Sequence, residues 1–248
     1  MPDQPSPGRP ELSAVVPVYD EVEALPPLAA ELEGALRATG RTWEIVLIDD
    51  GSRDGSASWI AEAARTRPGY VGVLLEANSG QSAALAAGIA AARGAVVVTL
   101  DADGQNDPAD IPRLLEALRD ADVVSGTRRD RADSFVRLAS SRIANGTRRF
   151  VLGDPVTDIG CSMKAYRRET LDSLPFFVGV HRFLPALCFF RGARLVEIPV
   201  AHRPRNLGRS KYGVGNRLFR GIRDLFGVAW LRSRLLRHRV REVIRHVD

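Results

Sequence analysis

The sequence predicts an α/β fold, a mostly parallel sheet flanked by helices, with a basic helical appendage at the C-terminal end. Three features of the chain point that way. Short, continuously apolar runs rich in β-branched residues alternate with segments of helical periodicity through the first half, the pattern of a sheet covered on both faces. Each run stops at polar side chains, as strands do where their carboxyl ends line a crevice. Beyond residue 200 the texture changes to arginines set among apolar residues at helical spacing.

Leu12–Val18 (LSAVVPV) is the first expected strand, and it ends at Tyr19, Asp20 and Glu21. Leu25–Thr39 then sets Leu25, Leu28, Leu32, Ala35 and Leu36 on one helical face. Trp43–Ile48 (WEIVLI) is a second strand running into Asp49 and Asp50, after which Asp54 or Ser56 caps a helix reaching Arg65. Tyr70–Leu75 is a third strand, followed by Asn78 and an alanine-rich helix over Gln81–Arg93, with Gly94 ending it at C′. Ala95–Leu100 is the fourth strand, and Pro108–Asp120 a helix with proline near its start. Asp122–Gly126 is a further strand. An arginine-rich loop then leads to a helix around Ser134–Leu152, a short strand region at Asp158–Tyr166, a helical turn at Glu169–Leu174, a helix over Val180–Arg191 and a strand at Ala193–His202. Val214–His246 reads as a basic amphipathic helix or pair of helices.

At 248 residues the chain is long enough to bury a full core. The opening MPDQPSPGRP is polar and proline-rich, an expected disordered tail over residues 1–11 without the features of a secretory signal. No apolar run reaches the roughly 18 residues of a membrane-crossing helix. The two cysteines, Cys161 and Cys188, have neither metal-ligand spacing nor a disulfide framework, which fits a reducing compartment. The net charge of +5 hides an asymmetry, because residues 201–248 hold 13 Lys/Arg against three acidic residues. That stretch is +10 and the first 200 residues −5. A basic tail on an acidic body expects a polyanionic partner: phosphates, an anionic membrane face or nucleic acid.

The stretch VVVTLDADGQNDP (96–108) concentrates the chemistry. A buried strand there delivers Asp101 and Asp103, then Gln105, to a loop. Carboxylates at i and i+2 in a strand continuation point to one side, and hard oxygen ligands of this kind suit Mg²⁺ or Mn²⁺ completed by phosphate oxygens. The alternative is a solvated acidic turn. Polar residues at four successive strand ends, Tyr19/Glu21, Asp49/Asp50, Asn78 and Asp101/Asp103, favour one shared site over four decorations.

Nine motifs in order then carry a resemblance: VVPVYDE (15–21), IDDGSRDGS (48–56), NSGQSAALAAG (78–88), LDADGQNDP (100–108), SGTRRDRADS (125–134), SRIAN (141–145), DIGCSMKAYRR (158–168), GVHRFLPAL (179–187) and HRPRNLGRSKYG (202–213). Together they resemble family 2 glycosyltransferases of the GT-A fold, and most closely the polyprenyl-phosphate (dolichol-phosphate mannose synthase-like) branch. The resemblance runs from Leu12 to about Arg234 and implies a catalytic domain over 12–213 with basic helices at 214–248. It implies a nucleotide-sugar donor, with Pro17, Tyr19, Glu21 and Asp50 around base and ribose. It implies Asp103 as direct metal ligand, Asp101 as ribose or metal contact, and Gln105 as a supplementary ligand. Gly80 and Gln81, between a strand and a helix, would offer backbone amides to the diphosphate. Lys211 resembles a residue that reaches the donor phosphates.

On the acceptor side, a phosphate monoester is already anionic and needs positioning and charge compensation more than a base. The resemblance assigns that task to Arg128, Arg142, Asn145, Arg203, Arg205 and Ser210. For Arg128 and Arg142 a structural salt bridge is the alternative. Arg129, Arg131, Arg148 and Arg149 read as a solvated face. Asp158 would orient sugar hydroxyls, steer the acceptor or act as a base. His181 would contact the acceptor or simply pack, and Cys161 packs.

The expected activity is therefore an inverting, metal-dependent transfer of one sugar to a polyprenyl phosphate. UDP-sugars are favoured over GDP-mannose by the NSGQSAALAAG motif. Relatives often carry C-terminal membrane spans, and this chain shows instead Leu218, Ile222, Leu225, Phe226 and Trp230 at helical spacing among arginines. Such a helix lies in an anionic membrane surface or docks on the domain. The expected location is cytoplasmic, peripheral on the cytoplasmic face of the membrane, and the family's habits admit a homo-oligomer. The rivals are a non-lipid acceptor such as a glycan, a sugar-nucleotide-binding pseudoenzyme, and a nucleic-acid-binding module using the tail. The tail lacks interleaved aromatics and a reader motif, so no nucleic-acid partner is expected.

Overall fold

The structure, a computed structural model, describes residues 8–128, 146–172, 174–204 and 215–234; for 215–220 and 222 only the backbone is described. The elements run β1 (Leu12–Val18), α1 (Leu25–Ala38), β2 (Trp43–Asp49), α2 (Ser56–Thr66), β3 (Tyr70–Leu74), α3 (Gln81–Ala91), β4 (Val96–Thr99), α4 (Ile111–Ala117) and β5 (Val123–Arg128). Helix α5 (146–152) follows, then β6 (Lys164–Arg167), α6 (Arg168–Leu171), α7 (Leu184–Phe190), β7 (Leu195–Val200) and α8 (Gly215–Arg234).

The strands form one seven-stranded sheet in the order β3-β2-β1-β4-β6-β5-β7. All neighbours are parallel except β6, which runs antiparallel to both β4 and β5. Alternation along the strands sends side chains to two cores. Val16 and Val18 face one that α1, α2 and α4 cover. Val15, Val46 and Ile48 face another that α3, α7 and α8 cover. The order of the first four strands reverses beside β1, so the crevice for a ligand opens at the carboxyl ends of β1 and β4.

Two glycines set the spacing around that crevice. A Cβ at Gly88 would lie 2.4 Å from Ile48 Cδ1 and 2.7 Å from Val15 Cγ1, so glycine lets α3 settle directly on β1 and β2. Gly94 is not the expected C′ glycine; α3 stops at Ala91 and Ala92 turns extended. Its role is close approach, because a Cβ would lie 2.6 Å from the Leu12 carbonyl carbon and its N–H donates to Ser13 Oγ at 2.7 Å.

The first five expected strands are present, the fifth prolonged to Arg128. The expected strand over Asp158–Tyr166 contracts to β6, because the 158–163 segment is a turn closed on the Asp158 side chain. The expected Val180–Arg191 helix divides into a 3₁₀ turn at Val180–Arg182 and α7. Both cysteines are buried and free, Cys161 as the packing residue expected. Arg148 corrects the solvated-face expectation: it is 4% exposed and donates to both oxygens of Asp154 at 2.7 Å.

Candidate active site

Beta-strand β4 stops at Thr99, so the two carboxylates stand on a turn and not on a continued strand. Each makes its own contact there. Asp101 turns toward α3, where Gln81 Nε2 donates to its Oδ1 at 2.7 Å. Asp103 accepts from the Gln105 backbone N–H at 3.2 Å. The groups remain coupled: burial first, then the Asp103 charge, pushes the Asp101 carboxyl up to about 6. Two carboxylates in mutual repulsion are a site where a divalent cation is electrostatically welcome.

The donor set fits such a cation. Among the described residues no group of three His, Cys, Asp or Glu side chains could enclose a metal. Asp101 and Asp103 therefore offer a partial shell of hard oxygens, to be completed by phosphate oxygens and water, the habit of Mg²⁺. Gln105 lies beside them but is drawn to the far strand end, with its backbone oxygen accepting from Arg203 N at 2.8 Å. His202, absent from the expected site, lies next to it, its Nε2 3.4 Å from Gln105 Nε2. A bridge between Asn106 and His202 joins the two segments, and only that tertiary pairing brings the imidazole to the turn.

Asp50, expected at the nucleotide, is the fastener of the neighbouring loop. Its 4%-exposed carboxylate accepts from Ser79 N at 2.7 Å, from Gly80 N at 2.9 and 3.2 Å, and from Asn78 Nδ2 at 3.2 Å. The Gly80 amide is thus spent on Asp50, which leaves the Gln81 and Ser82 amides as the ones at the head of α3 without an intrahelical partner. Pro17 lines the cavity beside this loop, while Tyr19 and Glu21 lie half-buried beyond the end of β1. The Glu21 backbone N–H donates to Ser56 Oγ at 3.1 Å, which fixes that end of the chain.

A cavity of about 410 Å³ opens beside Asp101, between β4, β6, the start of α3 and the 179–182 turn. Lys164, 3% exposed on β6, lines it and donates to the His181 carbonyl at 3.3 Å. Burial pushes its pKa down, opposed by the carboxylates of Asp101 and Asp158. Sequence reasoning missed this residue. Its one signal was a lone lysine in the apolar alternation of SMKAY, which places Lys164 and Tyr166 on the opposite face from Met163 and Ala165.

Beyond Lys164 lies a tight ion pair. Arg128 Nε and Nη2 donate to the two oxygens of Asp158 at 2.8 Å each. The Arg128 and Gly160 backbone N–H groups add 3.2 Å bonds to the same carboxylate. The salt-bridge alternative for Arg128 is what the structure displays. Arg203 likewise braces the fold, bonded at 2.7 Å to both Glu31 and Asp107. Arg142, Asn145, Arg205, Ser210 and Lys211 lie outside the described residues. The cavity roof comes from α8, which sequence reasoning did not bring to the site: Asp224 binds Arg182 at 2.7 Å, and Arg223 and Asp224 line the cavity.

Comparison with known proteins agrees with this architecture. An undecaprenyl-phosphate 4-deoxy-4-formamido-L-arabinose transferase from Aeromonas hydrophila is 42% identical over 205 residues, 82% of this chain. The chain spans 63% of that relative's length. Glucosyl-3-phosphoglycerate synthase from Mycobacterium tuberculosis, solved with Mn²⁺, UDP and phosphoglyceric acid, superposes with a TM-score of 0.67 at 21% identity, covering 93% of this chain and 80% of that one. A mannosyltransferase from Pyrobaculum calidifontis, solved with GDP-Man and Mn²⁺, gives 0.60 at 21%, covering 92% and 65%. These likenesses show the GT-A fold. The model for glycosyl transferase family 2 matches residues 13–174, nearly two thirds of the chain, and with the strand order and the carboxylate turn in place the chain belongs to that family.

Proposed function

We propose that this chain transfers one sugar, with inversion, from a nucleotide sugar, UDP-linked in preference to GDP-mannose, to a polyprenyl phosphate. The observation that carries it is Asp101, coupled to Asp103, in the wall of a cavity that Lys164, Arg182 and Arg223 also line, in a chain 42% identical to an undecaprenyl-phosphate sugar transferase. Asp101 and Asp103, with Gln105 nearby, would hold Mg²⁺ or Mn²⁺, which when bound compensates the charge of the departing nucleoside diphosphate. Gln81 orients Asp101, and the head of α3 favours the diphosphate through its amides and dipole. A phosphate oxygen of the acceptor attacks the anomeric carbon as the bond from that carbon to the diphosphate oxygen breaks. The nucleophile arrives ionised, so no proton need be removed. Asp158, both oxygens engaged by Arg128, suits orientation of the sugar or acceptor better than proton abstraction. Arg142, Asn145, Arg203, Arg205, Ser210 and Lys211 remain the proposed contacts to acceptor and donor phosphates.

Residues 12–213 form the proposed catalytic unit, after a tail at 1–11, and 214–248 a membrane-seating appendage. Helix α8 docks through Val228, 0% exposed, and Leu225, and turns Phe226 (66%) and Trp230 (63%) outward beside the exposed Arg223. An outer face of aromatics and arginines fits an anionic bilayer surface. No described helix is long and apolar enough to cross a membrane. The chain would then work as a peripheral protein on the cytoplasmic face, as a monomer or homo-oligomer, without a nucleic-acid partner. The test supplies undecaprenyl phosphate in vesicles with a panel of labelled UDP-sugars and GDP-mannose. Label in the organic phase, abolished by EDTA, is expected. Label passing only to water-soluble acceptors would refute the lipid acceptor.

A further inference from the structure

Two cations are buried among the described residues, and their surroundings differ. Arg148 donates to both oxygens of Asp154. Lys164, 3% exposed, pairs with no described carboxylate: its one hydrogen bond among the described residues runs to the neutral His181 carbonyl at 3.3 Å. An ammonium carries three donors, and charge-assisted N–H bonds close to about 2.7–2.9 Å. Two of its N–H groups are thus unused and the third is loosely held. A buried charge without a partner costs far more than a buried neutral group, and proteins keep such costs where function needs them. The mechanism above gives Lys164 no task.

Two contacts tie Lys164 to the head of α3. His181, whose carbonyl accepts from Lys164, has its Nδ1 2.8 Å from Ser82 Oγ. Asp101, whose charge supports that of Lys164, accepts from Gln81 Nε2 at 2.7 Å. Lys164, Gln81, Ser82, Asp101 and His181 all line the same cavity. Gln81 and Ser82 open an eleven-residue helix, and their amides have no intrahelical partner. Asp101 faces the same space, but its charge is the one a divalent cation would compensate. A phosphate group, with several oxygens, can meet an ammonium and helix-start amides at once.

We infer that Lys164 binds a phosphate oxygen of a substrate in this cavity, beside the Gln81 and Ser82 amides. This rests on the nucleotide-sugar reading above and adds a residue of β6 to the groups that hold the reactants. The phosphate belongs either to the nucleoside diphosphate or to the polyprenyl acceptor, and short soluble ligands separate the two.

The test titrates the full chain, with Mn²⁺, against UDP, uridine, farnesyl phosphate and farnesol, and follows urea unfolding without ligand. The variants are Lys164→Met, which keeps the length and removes the charge, and Lys164→Gln. Expected is a loss of about ten- to hundredfold in affinity for UDP or for farnesyl phosphate, the worth of a hydrogen bond to a charged group. Uridine and farnesol should stay within about twofold. A loss for UDP assigns Lys164 to the donor diphosphate, a loss for farnesyl phosphate to the acceptor, and a loss for both to a place the two phosphates share. The unliganded Lys164→Met chain should unfold at the same or a higher urea concentration, since a buried charge without a carboxylate has been removed. Unchanged affinity for both phosphates overturns the inference, and so does an equal loss for uridine or farnesol. A lower unfolding midpoint in both variants marks a lysine that serves the fold and overturns it as well. A wild-type chain that binds neither UDP nor farnesyl phosphate refutes the nucleotide-sugar reading together with the inference.

Discussion

The Arg128–Asp158 pair offers the sharpest single test of the site, because two roles for Arg128 predict opposite results. If the guanidinium serves the fold, its partner is Asp158; if it serves the acceptor, its partner is a phosphate. The geometry is two charge-assisted bonds of 2.8 Å between side chains 21% and 10% exposed. Breaking a buried pair by removing one partner costs roughly 3–5 kcal/mol, and the part-exposure of Arg128 moves its side to the low end. Asp158→Ala also strands the backbone N–H groups of Arg128 and Gly160. About 4 kcal/mol is therefore expected for Asp158→Ala, about 3 for Arg128→Ala and about 5 for the double variant, a coupling of about 2 kcal/mol. Urea unfolding of the four proteins measures it, with transfer to undecaprenyl phosphate followed in parallel. A coupling below about 0.5 kcal/mol, with Arg128→Ala stable and inactive, would refute the pairing as the residue's principal role.

Three further outcomes follow from other parts of the molecule. Asp103→Ala should cut transfer at least about a hundredfold, several kcal/mol of charge stabilisation being at stake. Its stability should change by no more than about 0.5 kcal/mol, and Mn²⁺ should no longer strengthen UDP binding; retained activity would sink the metal assignment. Gly88→Ala should cost about 1–2 kcal/mol in urea unfolding, since overpacking against Ile48 and Val15 outweighs alanine's helix preference; a neutral result would show that α3 does not sit where described. Phe226→Ser with Trp230→Ser should weaken sedimentation with anionic vesicles at least about tenfold, each aromatic contributing about 1.5–3 kcal/mol of burial; unchanged binding would leave α8 without a membrane role.

How much of this was legible in the chain depended on whether the signal was local. Strands β1 to β4 announce themselves because a parallel sheet buried on both faces leaves unbroken apolar runs, and each carries its polar terminus with it. The direction of β6 was not legible, since side-chain alternation along a strand reads the same in either direction. Lys164 was hidden for a related reason: a single lysine in a strand reads as an outward face until the packing of α3 and the 179–182 turn shows that face enclosed. Arg128 and Asp158 were both named from motifs, but their pairing spans 30 residues and joins the end of β5 to a turn before β6. Asp50 shows a contact that the chain alone did not. A carboxylate at a strand end can face a ligand or a neighbouring loop, and only the course of residues 78–80 shows that the loop takes it.

The same contacts give a physical reason for the basic helix to belong with this site. Asp224 of α8 holds Arg182, and the turn containing Arg182 places Gly179 and His181 on Ser82. Ser82 is joined in the chain to Gln81, whose amide holds Asp101. From the helix that turns its aromatics outward to the Asp101 carboxylate, the path is a few hydrogen bonds and one helix start. An acceptor phosphate carried by a membrane-embedded chain has to meet a donor bound from water, and the two can meet only if the surface that seats the protein lies close to the reacting groups. Helix α8 meets that requirement by closing the cavity with Arg223 and Asp224 while turning Phe226 and Trp230 outward. A glycosyltransferase acting on a soluble acceptor would gain nothing from exposed aromatics at the roof of its site. That placement, rather than the count of arginines, is the stronger argument for a lipid-borne acceptor.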